Sequence, residues 1–298
     1  MDVAVVGSLH LDIMVAAKHL PVRDETLVGS SWHTKCGGKG GNQAVAAARL
    51  GARVAFGGRI GADDFGERLK ANLTDAGVDI SCLAVDAVRP SGMSVAISES
   101  TGDYGAVIVS GANLAIPPDE IVGAWKNLWQ AKVLLLQNEA SETVNLAAAT
   151  AARAKGAKIT LNAAPAKALP PPLLDCIDLL IVNRLEASML TGLSEPEAAI
   201  HALRRPGRAA ILTMGANGLL LDDGSNAIQR VPAHPVTQIS SHGAGDFFCG
   251  ALAARLAAGA TLDAACSYGA AAAALFVSRN DGARAAITHR DVEALLTT

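Results

Sequence analysis

The residues that could do chemistry are grouped most clearly in SSHGAGDFFCGALAARL, residues 240–256. The carboxylate of Asp246 comes directly after a glycine-rich turn and directly before an apolar run with helical character. A helix that begins there would point its free amides and the positive end of its dipole at Gly243, Ala244 and Gly245, which could then bind an anion. Asp246 could accept a proton from a nearby hydroxyl, and the two features together favour phosphoryl transfer to an alcohol. Alternatively, Asp246 only complements the helix dipole.

A second glycine-rich stretch, CGGKGGNQAVAAARLG, covers residues 36–51 and also precedes a helical pattern. Glycines on both sides of Lys39 let the backbone approach a ligand closely, and the helix that follows would present free amides. The stretch is not a Walker P-loop, because Gly40 follows Lys39 where serine or threonine is required. It is not a dinucleotide fingerprint either, because Gln43 occupies the position of the third glycine. It therefore indicates a ligand-binding loop, or else only a flexible turn before a helix.

A third candidate site lies in GSLHLD, residues 7–12, directly after the first apolar run. In open α/β sheets, ligands bind at the carboxyl ends of the strands. Asp12 could hold two hydroxyls of a polyol, and His10 would point the same way on an extended chain. Each of the two could instead be a solvated loop residue.

Polar residues also follow two later apolar runs. Asn183 and Glu186 come directly after one run, and Thr213, Gly215 and Gly218 come after the next. A carboxylate and an amide at strand ends suit a magnesium ion that is held largely through water beside nucleotide phosphates. Taken singly, each of these residues could equally be a helix cap.

These residues need a fold that brings strand ends and helix starts together, and the hydrophobic pattern predicts one. Apolar runs of the buried-strand type alternate with helical segments, several of which end in glycine. This alternation predicts an α/β fold with a doubly wound, mainly parallel sheet flanked by helices. After Ala233 the pattern becomes helical, and it ends with THRDVEALL, in which Thr288 and Asp291 match a capping box. The apolar runs are DVAVVGS, RVAFGGRIG, AKVLLLQNE, AKITLNAAP, DLLIVNRLE and AAILTMGANGLLLDD.

Two stretches, residues 13–36 and 90–113, show β-type alternation with turn residues but no helical pattern. In the second stretch, TGDYG joins two alternating arms and predicts a hairpin. The two stretches could pair into a small separate sheet over the active site, or they could be decorations at the edges of the main sheet.

Composition restricts the class of protein. The 298 residues are 50% hydrophobic and carry a formal net charge of −3, which is enough apolar sequence for a large core. Basic residues form no stripe, so no nucleic-acid partner is expected. The five cysteines include no C-x-x-C pair, which is typical of a reducing compartment, and no export signal or membrane anchor is visible. We therefore expect a cytoplasmic protein without a membrane partner.

In the order and spacing of these motifs, the chain resembles the ribokinase family of carbohydrate and nucleoside kinases, also called the PfkB family. GGKGGNQAVAAARLGA is similar to the first family signature and HGAGDFFCGAL to the second, and GRIGADDFGERL, LNAAPA and VNRLEA stand where the family has equivalents. The resemblance covers nearly the whole chain. It implies one ribokinase-like α/β domain over residues 1–298, a small β-sheet lid from about 13–36 and 90–113, and a homodimer formed through the lid.

The resemblance also implies a role for each matching residue. Asp246 would be the catalytic base, and Gly243, Ala244 and Gly245 would form the anion hole. The sugar would be surrounded by His10, Asp12, Gly38, Lys39, Asn42 and Glu139, with Ile108 on the lid side. ATP would be bound by Asn183, Thr213, Gly215 and Gly218, and Glu186 would belong to the shell of Mg²⁺.

Three departures from the family pattern bear on the substrate and on ions. His10 stands where ribokinases have asparagine, so the sugar need not be ribose. Ser240 replaces an aspartate that binds a monovalent cation in many members, and Ala286 replaces a residue that offers a serine oxygen. Activation by K⁺ is therefore less expected here than in ribokinases, although main-chain carbonyls could still bind an ion.

We therefore expect an ATP- and Mg²⁺-dependent kinase that phosphorylates a primary hydroxyl of a small sugar or sugar acid by direct in-line transfer. A nucleoside kinase of the same family is one alternative. A sensor that binds a sugar or nucleotide without catalysis is another, and the presence of Asp246 together with its glycine turn argues against it. The missing glycine fingerprint argues against an NAD-dependent dehydrogenase.

Overall fold

The computed structural model describes residues 1–99, 104–224 and 227–297, and a nine-stranded sheet runs through the centre of this part of the chain. Numbered along the chain, the strands are β1 (Val3–Val6), β2 (His10–Ala17), β3 (Ser31–Gly37), β4 (Val54–Gly61), β5 (Asp79–Asp86), β6 (Gly92–Glu99), β7 (Tyr104–Val109), β8 (Val133–Gln137), β9 (Lys158–Asn162), β10 (Leu179–Asn183), β11 (Ala209–Thr213), β12 (Leu219–Asp222) and β13 (Gln229–Val231). The central sheet has the order β13-β12-β11-β10-β9-β8-β1-β4-β5. The strands from β11 to β5 in this order pair in parallel, and β12 and β13 add an antiparallel edge. The prediction of a mainly parallel α/β sheet is confirmed.

Helices cover both faces of the central sheet. They are α1 (Lys39–Arg49), α2 (Asp64–Asp75), α3 (Pro118–Ala124), α4 (Glu142–Arg153), α5 (Pro171–Leu174), α6 (Arg184–Thr191), α7 (Pro196–Leu203), α8 (Ala244–Ala257), α9 (Leu262–Val277), α10 (Asp281–Ala285) and α11 (His289–Leu296). In β1, Ala4 and Val6 pack in the layer that contains α4, whereas Val3 and Val5 pack in the layer that contains α1 and α8. All four side chains are fully buried. Strands buried on both faces appear as continuous apolar runs, which is why the sequence pattern identified them.

The two helix-free stretches form a second, four-stranded sheet with the order β3-β2-β6-β7. The pair β2 and β6 is parallel, and the outer pairs are antiparallel. The sheet begins at His10, earlier than the expected residue 13, so His10 and Asp12 lie in a strand rather than in a loop. The arms of the predicted hairpin pair as β6 and β7, and its turn at residues 100–103 lies outside the described residues.

The pairing register gives the second sheet one polar and one apolar face. Asp12 is paired with Lys35 and Ser94, and Ser94 is paired with Ile108, so these four residues share one face. The opposite face carries Leu11, Ile13, Val15, Trp32, Met93, Val95, Ile97, Val107 and Val109. The face with Asp12 is the one that borders the cavities described below.

The segment before α8 differs from the sequence prediction. We expected a helical pattern from Ala233 onward, but α8 begins only at Ala244, and residues 233–243 have no regular structure. Pro235 removes a backbone donor there, and Gly243 has a left-handed conformation with φ of 83°, so helix formation starts after it. The capping box of α11 between Thr288 and Asp291 is confirmed. Among the described residues, no helix is long and apolar enough to cross a membrane.

Helix α1 packs directly on the turn between β1 and β2, and Gly40 makes this approach possible. A Cβ atom at Gly40 would lie 2.8 Å from the backbone of Gly7 and of Ser8. Backbone atoms cannot rotate away as a flexible side chain can, so a larger residue would push the helix off the sheet. Gly123 in α3 offers a contrast, because no atom lies within 4 Å of its Cβ position.

We therefore expect Gly40→Ala to lower the free energy of unfolding by about 1–3 kcal/mol through overpacking. Gly123→Ala should leave it unchanged or raise it by about 0.5 kcal/mol, because alanine restricts the unfolded chain. Urea denaturation followed by circular dichroism measures both variants. Equal stability of the two would contradict the close packing of α1 on the strand turn.

Candidate active site

The candidate residues meet in a cleft between the second sheet and the carboxyl ends of the central strands. A cavity of about 830 Å³ is lined there by Met14, Ala96 and Ser98 from the second sheet and by Lys39, Asn183, Glu186, Thr213, Gly243, Gly245 and Asp246 from the main body. Asn183 and Thr213 end the neighbouring strands β10 and β11 and are register partners. This is the position where open parallel sheets bind ligands.

Asp246 is buried in the first turn of α8, but its carboxylate is held by α1. Asn42 Nδ2 donates to Oδ2 at 3.0 Å, and Gln43 Nε2 donates to Oδ1 at 3.1 Å. Its carboxylate accepts no hydrogen bond from an amide of its own helix among the described residues. A role limited to the dipole of α8 would not require these two donors, so the geometry favours a positioned carboxylate.

Burial raises the pKa of the Asp246 carboxyl, while Lys39 and the two amide donors oppose this shift. For Lys39, burial acts to lower the pKa of the ammonium, but Asp246, Glu139 and Glu186 together raise it above its ordinary value. Lys39 therefore stays charged. Its Nζ has no ion pair within 4.0 Å among the described residues, so it is available to an anionic ligand.

The turn before α8 offers free backbone donors to the same cleft. Gly243 caps the helix in a left-handed conformation that favours glycine, and no side chain bonds to the helix end. The amide of Ala244 donates to Ser241 O at 3.1 Å and is therefore occupied. The amides of Gly245 and Asp246 have no acceptor in the described part of the chain, and the Cβ position of Gly245 is open. An anion could approach these two amides closely.

Glu139 lies behind the cleft and organises the start of α1. Its Oε2 accepts hydrogen bonds from the backbone N–H of Lys39 at 2.8 Å and from Ser8 Oγ. His10 Nδ1 lies 3.9 Å from the same oxygen, and its Nε2 is buried without a hydrogen-bond partner among the described residues. Gly38 has a φ of 84°, and a Cβ there would lie 2.7 Å from Ser8 O. Glu139, His10 and Gly38 do not line the three cavities described in this subsection.

Asp12 and Asn42 line a second cavity of about 400 Å³, which also borders Gly243. Asp12 Oδ1 accepts a hydrogen bond from Ser94 Oγ at 2.5 Å on the polar face of the second sheet. The two cavities share His242 and Gly243 in their lining, and Asn42 of the second cavity bonds to Asp246 of the first. A ligand at this junction could contact both the second sheet and α8.

Asn183 and Glu186 form the capping box of α6, as one reading of the sequence expected. Asn183 Oδ1 accepts from Glu186 N at 2.9 Å, and Glu186 Oε2 accepts from Asn183 N at 2.8 Å. Burial raises the pKa of the Glu186 carboxyl. Both residues still line the large cavity, so capping and ligand contact are compatible.

A third cavity of about 400 Å³ opens beside the α8 turn and is mainly apolar. Thr213, Gly215, Gly218, Ala244 and Gly245 line it together with Val236, Ala270, Ala273, Ala274 and Val277. Gly218 has a φ of 76°, and a Cβ there would lie 2.1 Å from Val231 O, so the strand turn itself requires glycine. This cavity could hold a flat apolar ring next to the free amides of α8.

Sequence reasoning missed a chain of buried amides that supports Asp246. Gln137 Nε2 donates to Gln43 Oε1 at 2.8 Å, and Gln43 Nε2 is shared between Asp246 and Asn162 Oδ1. In the sequence, Gln43 stands out only as the residue that breaks a glycine fingerprint. The available signal was a polar residue directly before the apolar run AVAAA, and the structure shows that this residue is fully buried.

Comparisons with known proteins agree over the whole chain. Residues 1–288 match the model of the family described as pfkB family carbohydrate kinase. The ribokinase of Bacillus subtilis (strain 168) is 34% identical over 298 residues, which are 99% of both chains. The deoxyribokinase of Salmonella typhi is 30% identical over 85% of each chain. A solved structure of Arabidopsis thaliana ribokinase complexed with ribose and ATP superposes with a TM-score of 0.91 and 29% identity, covering 100% of this chain and 99% of that one.

The charge balance of the site can be tested through Lys39. We expect Lys39→Met to lower the free energy of unfolding at pH 7 by about 1–2 kcal/mol, because three carboxylates lose a nearby cation. The raised pKa values of Asp246 and Glu186 should rise further in the variant, so the folded state binds protons more readily than the unfolded state. The loss should therefore be smaller at pH 5 than at pH 7.

Chemical denaturation at the two pH values measures this difference. The control is Lys70→Met, because Lys70 is exposed and lies 4.0 Å from the exposed Glu67. Its effect should stay within about 0.5 kcal/mol at both pH values. An equal loss for Lys39→Met at pH 5 and pH 7 would contradict the electrostatic account.

Proposed function

This chain belongs to the pfkB family of carbohydrate kinases, which are phosphotransferases acting on an alcohol group, and from that premise we propose that it transfers the γ-phosphoryl group of ATP to a primary hydroxyl of a small sugar or sugar acid. The observation that carries the proposal is the buried Asp246 carboxylate, which lines the large cavity and accepts a hydrogen bond from Asn42 of the adjoining cavity, at a helix start with two free amides. Where two adjoining cavities share part of their lining, an acceptor hydroxyl from one and a phosphoryl group from the other can lie next to each other.

In this proposal, Asp246 is the general base. Asn42 and Gln43 fix the direction of its oxygens, so the carboxylate can orient the acceptor hydroxyl and take its proton. Burial raises the pKa of its carboxyl, and the positive charge of Lys39 opposes this rise and favours the ionised form. Asn42, Gln43 and Lys39 all belong to the glycine-rich stretch of residues 36–51.

The amides of Gly245 and Asp246 and the Lys39 ammonium are the donors for the negative charge of the transferred group. The two amides are fixed by α8 before the substrate binds, so they need little reorganisation in the transition state. Gly243 and Ala244 contribute through the conformation of the turn, since the Ala244 amide already donates to Ser241 O. The direct in-line transfer that we propose requires no covalent intermediate on the chain.

The apolar cavity and the large cavity together could hold the nucleotide. The apolar cavity beside Thr213, Gly215 and Gly218 suits an adenine ring, and Asn183 at the end of β10 would face the phosphates. No group of three or more His, Cys, Asp or Glu side chains in the described ranges could hold a metal ion by itself. Glu186 would therefore hold Mg²⁺ together with water and the phosphates, and the ion would neutralise phosphate charge when bound.

The acceptor sugar is assigned to the junction of the two cavities. Asp12 and Asn42 would hold its hydroxyls, with Lys39 and Gly38 at the α1 turn and Ile108 on the same face of the second sheet as Asp12. Gly38, His10 and Glu139 line neither of these cavities, so they would act from behind Asp12 and Asn42. The relatives named ribokinase and deoxyribokinase favour a pentose among the small sugars.

Release of ADP with MgATP and a panel of sugars, sugar acids and ribonucleosides tests the proposal. We expect activity on the sugar class, and Asp246→Asn should lower kcat by about 10²- to 10⁴-fold while nucleotide affinity changes little, because only the base is lost. Asp263→Asn is the matched control, since Asp263 is an exposed acidic residue in the first turn of α9. It should retain full activity.

Each outcome of this experiment has a distinct meaning. Activity on ribonucleosides only would replace the sugar kinase by a nucleoside kinase. Tight binding of sugar and nucleotide without turnover by the wild type would favour the sensor. High residual activity of Asp246→Asn would remove Asp246 from the role of base.

We also propose that two copies of the chain pair through the apolar face of the second sheet. Trp32 is 71% exposed on this face, and Val107 is 68% exposed. On the two strands between them, Ile13 of β2 and Val95 of β6 continue the same apolar face. A second copy would cover these side chains from water, and the polar face with Asp12 would remain directed at the cleft.

Light scattering of the purified protein measures the mass in solution. We expect twice the chain mass of 30.3 kDa, and Val107→Lys should reduce it to the mass of one chain, because a charge would be buried in the interface. Val122→Lys changes a 60% exposed valine on α3 and should leave the mass unchanged. A monomeric wild type would overturn this assignment.

A further inference from the structure

The loop that leads into the anion-binding turn is held mainly by one buried side chain. Residues 233–243 have no regular structure, although Gly243 directly precedes the free amides of α8. The backbone of the loop is attached to α9 through Ile239 N and Ser240 N, which both donate to Val277 O. The side chain that anchors it is Arg284 of α10, which is 4% exposed.

The Arg284 guanidinium uses each of its nitrogen atoms. Nη2 donates to Ser240 O at 2.6 Å, Nε donates to Phe276 O at 2.8 Å, and Nη1 donates to Asp281 Oδ1 at 3.0 Å. The planar fork therefore joins the loop to the end of α9. A lysine could not reproduce this pattern, because an ammonium lacks the fixed planar arrangement of donors.

The same guanidinium is connected to the turn through two aromatic rings. Its Cζ lies 4.4 Å from the centre of the Phe276 ring, and Phe276 stacks on Phe247 with 4.6 Å between the ring centres. A Cβ atom at Gly243 would lie 3.4 Å from the Phe276 ring. The guanidinium and the Phe276 ring thus pack beside the turn, and Arg284, Phe276 and Gly243 all line the second cavity.

A monovalent cation, which the family resemblance implies for this loop, does not fit the residues here. Ser240 offers a hydroxyl in place of a carboxylate, and Ala286 offers no side-chain oxygen. Two main-chain carbonyls that could bind an ion, those of Ser240 and Phe276, already accept hydrogen bonds from Arg284. A cation beside them would also be repelled by the guanidinium.

We propose that Arg284 is a positioning residue that fixes the loop before the anion-binding turn, so that phosphoryl transfer by this chain needs no monovalent cation. The proposal rests on the proposed function, because the turn matters only if it binds the transferred group. Arg284 does not contact the cleft amides. It acts by bonding to Ser240 O and Phe276 O. These bonds fix the loop that leads into the turn before α8.

The first experiment compares wild-type kcat in potassium, sodium and tetramethylammonium salts at constant ionic strength. We expect the same kcat in all three, and strong activation by potassium would overturn the proposal. This measurement requires no variant. Absence of activity in every salt would count against the proposed function itself, and the Asp246→Asn comparison identifies that case separately.

The second experiment uses Arg284→Ala, for which we expect kcat to fall by about 10- to 100-fold, because charge-assisted hydrogen bonds to the loop are lost. KM for the sugar should change less than kcat, because Asp12 and Asn42 would hold the sugar hydroxyls. Arg284 lines the same cavity as these two residues, but its donors are used on Ser240, Phe276 and Asp281. Added guanidinium should restore part of the activity, because it can occupy the vacated position between the carbonyls. A purely structural residue would not show this rescue.

Arg255→Ala is the matched control, because Arg255 also lies over an aromatic ring, 5.0 Å from the centre of Tyr268, but lines none of the three cavities of the cleft. It should keep wild-type kcat and show no response to guanidinium. If Arg284→Ala fails to fold, Arg284→Lys replaces it, with a reduced kcat and a smaller change in KM as the expected result. Wild-type kcat in either folded variant at position 284 would overturn the proposal.

Discussion

A carboxylate that is buried at the start of a helix must be compensated, and much of this structure serves to compensate Asp246. An isolated buried charge would be protonated or would destabilise the fold. Here Asn42 and Gln43 donate to its two oxygens, and Lys39 supplies a charge of opposite sign. All three come from the start of α1, so the two glycine-rich stretches work as one unit although Asn42 and Asp246 are 204 residues apart.

This compensation requires α1 and α8 to approach closely, and glycines permit it. A Cβ atom at Gly250 would lie 2.6 Å from Gln43 O and from the Ala46 Cβ, so any larger residue would separate the helices. Gly40 provides the same closeness between α1 and the β1–β2 turn. The glycines of both stretches therefore do more than form loops. They allow α1 and α8 to approach so closely that the side-chain amides of Asn42 and Gln43 reach the Asp246 carboxylate.

The pattern of the chain predicted the central sheet well, because strands buried on both faces are apolar throughout, as in β1 and β10. It missed β5, an edge strand with exposed and buried residues in an irregular sequence. It placed His10 and Asp12 in a loop, because it did not show that β2 continues the chain into the second sheet. It offered a helix cap as one of two interpretations of Asn183 and Glu186, and the hydrogen bonds of that cap span only three residues.

The sequence by itself determined the buried strands, the glycine-rich turns and the acidic residue at the start of α8, because each depends on neighbours within a few residues. Only the tertiary structure decided which groups those elements meet. It placed the Gln43 amide on Asp246, the Glu139 carboxylate on the Lys39 amide and the Arg284 guanidinium on Ser240 O. These contacts join residues that are far apart in the chain, so they depend on how helices and strands pack. No local pattern of residue types encodes that packing.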